Sequence, residues 1–398
     1  LLSALLRLNL LYQPNSIDVL CWALFYYCLI QFIYSNKDKW LLIAAVVFAF
    51  GFLNKYNVLF MAMGLFPALL ITKQRKIFAG KHLYYAEGLA LLLVLPNLVW
   101  QYQNDFPVIY HMQLLTETQL NNSSRTDFIK EQLIYYLGAF YVLIAGIISF
   151  FLYQPFHKYR VLFWSYVFTL IIFMYFKAKG YYAMGLHPVY FAFGSVYLEK
   201  LLDRKTWVRY LKPVMLLIAI VMFIPLANVA FPVSGPAETE KKAQSFKDFN
   251  LLRWEDGKDH SLPQDFADML GWSELAAKVD SVYAILPDKN AVLVLCDNYG
   301  QAGAINYYSK FSDINALSYN ADYIHWFDMG RKINDVIIIK DIYDEDRERK
   351  DEIPLFDTVM LTGRIENKYA REYDTRIYLL KGAKADIHTI IKEDIEEH

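Results

Sequence analysis

The amino-acid sequence predicts a multi-pass α-helical membrane protein with a soluble α/β domain at its carboxyl end. Of its 398 residues, 56% are hydrophobic and 17% are aromatic, and the mean hydropathy is +0.20. This composition is unusual for a soluble protein. Long apolar runs with short charged breaks extend to about residue 231, whereas charged residues recur every few positions beyond it. We therefore predict a transmembrane domain at residues 1–231, a linker at 232–261 and an extracytoplasmic α/β domain at 262–398.

The composition gives no support to several functional classes. A net charge of −1 provides no basic field for nucleic acid. The three cysteines do not form a disulfide framework, because Cys21 and Cys28 lie in one apolar run and Cys296 in a strand-like run, where burial explains them. No HExxH motif or CxxC pair occurs. No residue is therefore assigned to a metal and no cofactor is assigned, although a divalent metal is compatible with the sequence.

The apolar runs of the first domain predict its helices. The run at 17–34 carries one acid, Asp18, near its start. The run at 40–71 is longer than the roughly 20 residues that one crossing needs. It is interrupted by Asn54-Lys55-Tyr56-Asn57, which predicts two short helices that meet at a polar turn. Further spans are predicted at 83–100, 131–153, 161–175, 183–198 and 213–231.

The charges of the loops predict the orientation in the membrane. Lysine, arginine and histidine residues cluster at 37–39, 73–81, 157–160 and 200–212. With the predicted spans, these clusters fall on one side, which the positive-inside rule assigns to the cytoplasm. The loops at 13–18, 54–57, 101–130 and 177–182 and the tail then lie on the other side. We expect a cell (inner) membrane protein whose carboxyl-terminal domain is periplasmic or otherwise extracytoplasmic, with membrane lipids as its surroundings.

The tail alternates helical and strand-like segments. Helical spacing covers 268–286, and short apolar runs at 291–295, 336–339, 356–361 and 376–380 predict buried strands. Residues 297–303 (DNYGQAG) follow the first strand, at the strand end where α/β folds place ligands. The favoured interpretation of this segment is a tight strand-to-helix turn, and a ligand site is the alternative.

A cationic, tyrosine-rich turn at 176–188 (FKAKGYYAMGLHP) separates two apolar runs and predicts the tip of a helical hairpin at one membrane surface. Lys177 and Lys179 would lie there with Tyr181 and Tyr182. Amines and phenols at headgroup depth can hold a lipid-linked phosphate. The alternative is that the lysines extend to the interface and the tyrosines form part of its aromatic belt.

Three polar loops are predicted to meet on the non-cytoplasmic face. They bring Asp18, Lys55 and the hairpin lysines to one surface. An acid near several lysines suits a reaction at a phosphodiester, because the acid can take a proton from an acceptor while the lysines neutralise the leaving phosphate. The alternative is a set of interfacial anchors.

Several segments in this order carry a resemblance to a known family. They are residues 13–22 (QPNSIDVLCW), 51–56 (GFLNKY), 96–107 (PNLVWQYQNDFP), 179–188 (KGYYAMGLHP), 268–276 (DMLGWSELA) and 298–308 (NYGQAGAINYY). Their order and sidedness resemble the polytopic membrane glycosyltransferases of the GT-C class (glycosyltransferase family 39), which include protein O-mannosyltransferases and the bacterial lipid A aminoarabinose transferase. The resemblance covers most of residues 10–310.

The resemblance implies a GT-C-like helical bundle that moves a hexosyl or pentosyl sugar from a polyprenyl-phosphate donor to a lipid, glycan or protein acceptor. It assigns the principal catalytic aspartate to a first outer loop that would precede Leu1, so we expect the chain to be incomplete at its amino end. Asp18 is similar to a second, supporting acid, although Asn15-Ser16-Ile17 replaces the usual Thr-Pro or Thr-Thr before it. The expected donor-phosphate contacts are Lys55, Lys177, Lys179, Tyr181 and Tyr182, and the acceptor-side candidates are Asn104, Asp105, Asn298 and Tyr299.

Two other functions remain open at this point. A transporter or flippase for a lipid-linked sugar predicts polar residues near mid-span and broken helices. The predicted spans are nearly free of charge in their middles, apart from Glu87 near one end. A membrane anchor that displays the tail as a sensor leaves Asp18 and the lysines without a role. The sequence therefore favours the transferase.

Overall fold

The computed structural model describes residues 3–120, 124–203, 210–248 and 250–397. The chain forms two compact units. The first comprises Leu1–Gly235 together with Arg253–Asp259, and the second comprises Pro236–Leu252 together with His260–His398. Residues 232–261, predicted as a linker, are thus divided between the two units.

The first unit is helical. Its helices are α1 (Ser3–Leu8), α2 (Asn15–Ser35), α3 (Lys39–Asn54), α4 (Val58–Ile71), α5 (Lys81–Gln103), α6 (Pro107–Thr118), α7 (Arg125–Ile134), α8 (Phe140–Leu152), α9 (Arg160–Tyr175), α10 (His187–Leu202) and α11 (Leu211–Ala230). The predicted break at Asn54–Asn57 is confirmed, since α3 ends and α4 begins there. The second helix of the hairpin begins at His187 rather than at Ala183, because Gly180–Leu186 forms a 3-10 turn.

Local signals explain where several of these helices begin and end. Asn36 ends α2 in the left-handed conformation (φ 51°), which asparagine tolerates well, and its N–H donates to Phe32 O. Ser124 begins α7 by accepting hydrogen bonds from two backbone N–H groups of the first turn. These caps satisfy backbone groups that the helix itself leaves without partners.

One apolar core holds the first unit together, and fully buried rings at its centre include Trp22, Tyr26, Phe173 and Tyr190. Helices pack in pairs: α4 with α9, α8 with α10, and α2 with α3. At the α8–α10 crossing, Gly146 faces the backbone of Tyr190 and Gly194 faces the backbone of Val142. Small residues at such a crossing let two helix backbones approach closely, as in other membrane helix pairs.

Among the described residues, two helices, α2 and α5, are long and apolar enough to cross a membrane. The number rises to four if each of two bent pairs counts as one span: Val58–Ile71 with Lys73–Ala79, bent by 104°, and Arg125–Ile134 with Leu137–Leu152, bent by 61°. Leucines 91 and 92 of α5 are exposed. Exposed leucines on an apolar helix are typical of a lipid-facing surface.

The second unit is an α/β fold. Its elements are α12 (Pro236–Lys241), α13 (Ala243–Asp248), α14 (Gln264–Ala267), α15 (Trp272–Ala284), β1 (Val292–Cys296), α16 (Tyr299–Tyr308), β2 (Ala316–Ser318), β3 (Asp335–Lys340), β4 (Phe356–Arg364), β5 (Arg376–Ala383) and α17 (Ile387–Glu397). The sheet order is β2-β1-β3-β5-β4, with β1 parallel to both β2 and β3 and with β5 antiparallel to β3 and β4. The four predicted strands are confirmed, and the sequence prediction missed β2 and α17.

The sheet of the second unit has an apolar core on each face. Successive side chains of a strand point to opposite faces. Val294 and Ile337 accordingly pack with α15 and α16 on one face, whereas Leu293 and Val336 pack with α17 on the other.

Candidate functional site

Asp18 is buried in the first turn of α2, with 4% of its surface exposed. Its Oδ1 accepts a hydrogen bond from Trp22 Nε1 (3.0 Å), one helical turn later on the same face. Its Oδ2 accepts a hydrogen bond from Asn57 Nδ2 (2.8 Å). Both oxygens of the carboxylate therefore have fixed partners, and the side chain has a single defined position.

Asn57 joins this carboxylate to the hairpin turn. In addition to its bond to Asp18, Asn57 Nδ2 donates to the backbone oxygen of Tyr182 (3.0 Å). One amide thus connects the start of α2, the α3–α4 break and the 3-10 turn. The sequence prediction placed Asn57 in the correct loop and gave it no role, since its spacing does not distinguish it from Asn54.

Lys55 extends from the α3–α4 break toward the same turn. Its Nζ donates to Asn15 Oδ1 (2.7 Å) and lies over the rings of Tyr182 (4.5 Å to the centroid) and Tyr181 (5.1 Å). Burial lowers the pKa of Lys55 to about 8, an effect that Asp18 opposes and Lys179 reinforces. An ammonium has three donors, so Lys55 can bind an anionic oxygen in addition to Asn15.

Lys179 lies at the start of the 3-10 turn, and its side chain is 13% exposed. Its Nζ donates to Gln119 Oε1 and forms an ion pair with Glu255. Because the charge of Lys179 influences Lys55, the two ammonium groups belong to one electrostatic cluster. Lys177, by contrast, has a left-handed backbone (φ 51°) at the end of α9. Among the described contacts, its amine takes no part in this cluster.

Two consecutive residues of α7 hold the peptide unit that follows Lys179. The carboxylate of Glu131 accepts the Gly180 N–H, and Gln132 Nε2 donates to Gly180 O (3.0 Å). Tyr135 OH donates to Glu131 Oε2 (3.1 Å). A Cβ at position 180 would overlap the Glu131 side chain, so glycine is required for this close approach. The sequence prediction missed Glu131 and Gln132.

A second glycine, Gly185, allows the 3-10 turn to pack closely against α2. A Cβ at Gly185 would lie 2.5 Å from Trp22 Cγ, so only glycine lets the turn pack on that indole. The same indole donates to Asp18. The motif at residues 179–188 therefore contacts the motif at residues 13–22 through Trp22.

Of the acceptor-side candidates, Asn104 and Asp105 belong to the first unit, and no described hydrogen bond or ion pair joins them to this cluster. Asn104 bonds to Trp100 O of its own helix (2.8 Å), and Asp105 is exposed. Asn298 and Tyr299 belong to the second unit. Asn298 Oδ1 accepts Gln301 N (3.0 Å) as the cap of α16, and Tyr299 is 57% exposed. The favoured interpretation of residues 297–303 as a strand-to-helix turn is confirmed.

Within residues 3–120, 124–203, 210–248 and 250–397, no group of three or more histidine, cysteine, aspartate or glutamate residues is placed to hold a metal ion. His187 is fully buried against the ring of Tyr136, with 4.5 Å between the ring centroids. The charged and phenolic groups of the cluster are the ammonium groups of Lys55 and Lys179, two phenols, the fixed carboxylate of Asp18 and the Glu255 carboxylate that pairs with Lys179. The ammonium and phenol groups suit an anionic oxygen ligand.

Comparison with known proteins supports a glycosyltransferase. Residues 1–100 match the family model described as dolichyl-phosphate-mannose-protein mannosyltransferase. No curated protein and no solved structure matches the chain at a significant level. The matched segment contains Asp18, Lys55 and Asn57 and ends before the hairpin turn. It confirms the resemblance to the GT-C mannosyltransferases over those residues and supports a membrane glycosyltransferase.

Proposed function

We propose that the protein transfers a sugar from a polyprenyl-phosphate donor to an acceptor on the non-cytoplasmic face of the cell membrane. The observation that carries this proposal is the cluster of Lys55 and Lys179 with Tyr181 and Tyr182 around the Asp18–Asn57 pair. Asp18, Lys55 and Asn57 come from the segment that matches the mannosyltransferase family model. The remaining residues come from the hairpin turn, which supplies the rest of an anion-binding surface.

The proposed reaction is an in-line displacement with inversion. An acceptor hydroxyl oxygen attacks the anomeric carbon, and a new glycosidic bond forms while the bond between that carbon and the phosphate oxygen breaks. The polyprenyl phosphate leaves with the electron pair, and Lys55 and Lys179 stabilise its charge. The hydroxyl proton passes to a carboxylate base, which the family resemblance identifies as an aspartate other than Asp18.

Asp18 supports this chemistry through position and charge. Because Asp18 is only 4% exposed and each of its oxygens already accepts a hydrogen bond, an acceptor hydroxyl has little access to it. Its negative charge stabilises the ammonium form of Lys55, and its bond to Asn57 holds the Tyr182 backbone. We therefore assign Asp18 as a positioning residue rather than as the base.

The Lys179→Ala variant tests the transferase. We expect release of polyprenyl phosphate from a polyprenyl-phosphate sugar to fall at least tenfold, about 1.4 kcal/mol in activation free energy, because one of two phosphate-binding charges is lost. The full-length protein in nanodiscs would be assayed with a cell-envelope extract as acceptor. Lys130→Ala is the matched control, because Lys130 is 64% exposed and pairs only locally with Asp127 among the described contacts. If the donor binds every variant but is never cleaved, the function is transport rather than transfer.

A pH dependence of donor binding is expected from Lys55. Its pKa of about 8 means that the free site loses this positive charge as the pH rises above about 8. The affinity for a polyprenyl-phosphate sugar should then fall by up to about tenfold per pH unit, whereas the ligand phosphodiester keeps a constant charge. Binding isotherms between pH 7 and pH 9.5 measure the effect. Lys55→Arg, which stays cationic, should flatten the profile, and an equally flat wild-type profile would contradict the assignment.

A further inference from the structure

The hairpin Arg253–Asp259 belongs to the first unit, although the residues on both sides of it belong to the second. Arg253 and Asp259 form an antiparallel bridge. Trp254 N donates to Lys258 O (2.9 Å), and Gly257 closes the turn with a left-handed backbone (φ 77°). Only glycine adopts that conformation at little cost. The closed turn presents Glu255 near its tip.

Glu255 contacts Lys179, one of the two lysines of the proposed donor site. Its Oε1 forms an ion pair with Lys179 Nζ, and its side chain is 31% exposed. Its negative charge also reaches the two phenols of the turn: burial is the main cause of the raised pKa of Tyr181 and of Tyr182, and Glu255 adds to both. The carboxylate therefore sits among the groups that we assign to the donor phosphate.

A carboxylate and a phosphodiester both present an anionic oxygen, so Lys179 can bind either of them in the same way. Lys179 already gives one of its three donors to Gln119 and one to Glu255. Two anions held against one ammonium repel each other, and the repulsion is strong because the lysine is largely shielded from water. Binding of Glu255 to Lys179 therefore weakens the binding of a phosphate there, and a bound phosphate weakens the binding of Glu255.

We propose that Glu255 is an internal ligand of the donor site, which a polyprenyl phosphate must displace from Lys179 in order to bind. This inference rests on the proposed function for the identity of the ligand. The Arg253–Asp259 hairpin then keeps Lys179 paired while the donor site is empty, and Glu255 returns to Lys179 when the product leaves. The lysine is spared an unpaired charge in a partly buried position between turnovers.

Binding of polyprenyl phosphate itself tests the inference without requiring sugar transfer. The full-length protein would be titrated in phosphatidylcholine nanodiscs, which contain no other anionic headgroup. We expect Glu255→Gln to bind about tenfold more tightly than the wild type, because the glutamine keeps the side-chain size and removes the competing charge. Asp256→Asn is the matched control on the same hairpin. Its side chain accepts Lys258 N within the turn, and the variant should bind within twofold of the wild type.

Zero-length carbodiimide coupling provides a second measurement that does not depend on a variant. It should join Lys179 to Glu255 in the wild type, and saturating polyprenyl phosphate should suppress the cross-linked peptide in a mass spectrum. An unchanged cross-link at saturation would overturn the inference, as would equal or weaker binding by Glu255→Gln or no binding by either protein. Tighter binding by Glu255→Gln without sugar release would support the inference and contradict the transferase.

Discussion

Gly180→Ala should lower the release of polyprenyl phosphate by about a hundredfold. The new methyl group would overlap the carboxyl group of Glu131, which accepts the Gly180 N–H. It would also lie 2.9 Å from Glu131 Cβ, which cannot rotate away, so the turn has to move instead. A shift of about 1 Å in groups that position a substrate can cost a factor of that size. The loss should exceed that of Lys179→Ala, because Lys179 and both tyrosines move together.

The measurement is the rate of polyprenyl phosphate release, together with the melting temperature of each purified variant. Gly80→Ala is the matched control: Gly80 is also a turn glycine with negative φ, and an added Cβ would make only an ordinary contact with Ile77 O at 3.4 Å. Its activity should match that of the wild type. Activity of Gly180→Ala within threefold of the wild type would show that the position of the turn does not control the reaction.

The break between α3 and α4 was predictable because it lies in the pattern of the sequence itself. Four polar or aromatic residues interrupt a run that is otherwise apolar, and such a break cannot stay inside a continuous membrane helix without partners. The same loop contains Lys55, so its polar side chains could be expected near those of the other loops on the same side. Strand β2 escaped prediction because three residues are too few to show a period.

Much of the cluster depends on contacts between distant residues, which no local pattern reveals. Glu255 and Gln119 both reach Lys179 from more than fifty positions away in the chain. Glu131 and Gln132 resemble any polar pair on a helix, and their role follows from the backbone of Gly180 lying beside them. Lys177 and Lys179 are the same residue type in the same turn, so the sequence does not distinguish them. Lys177 alone of the two has a left-handed backbone, and the two side chains therefore leave the turn in different directions.

Gly194→Ala should destabilise the first unit more than any surface change. Its Cβ would overlap the backbone oxygen of Val142, while Gly146 faces Tyr190 O at the same crossing of α8 and α10. A backbone carbonyl cannot rotate away as a side-chain end can, so the helices must separate and lose the contacts between them. Overpacking of this kind costs up to about 3 kcal/mol, which corresponds to a melting temperature lower by roughly 6 to 12 °C.

Gly88→Ala separates this packing effect from the general effect of alanine in a helix. Gly88 lies within α5, and nothing lies within 4 Å of its added Cβ, so the change should leave the melting temperature equal or slightly higher. Thermal unfolding in one detergent compares the two variants directly. Equal melting temperatures for Gly194→Ala and the wild type would mean that α8 and α10 do not cross at glycine-sized distance.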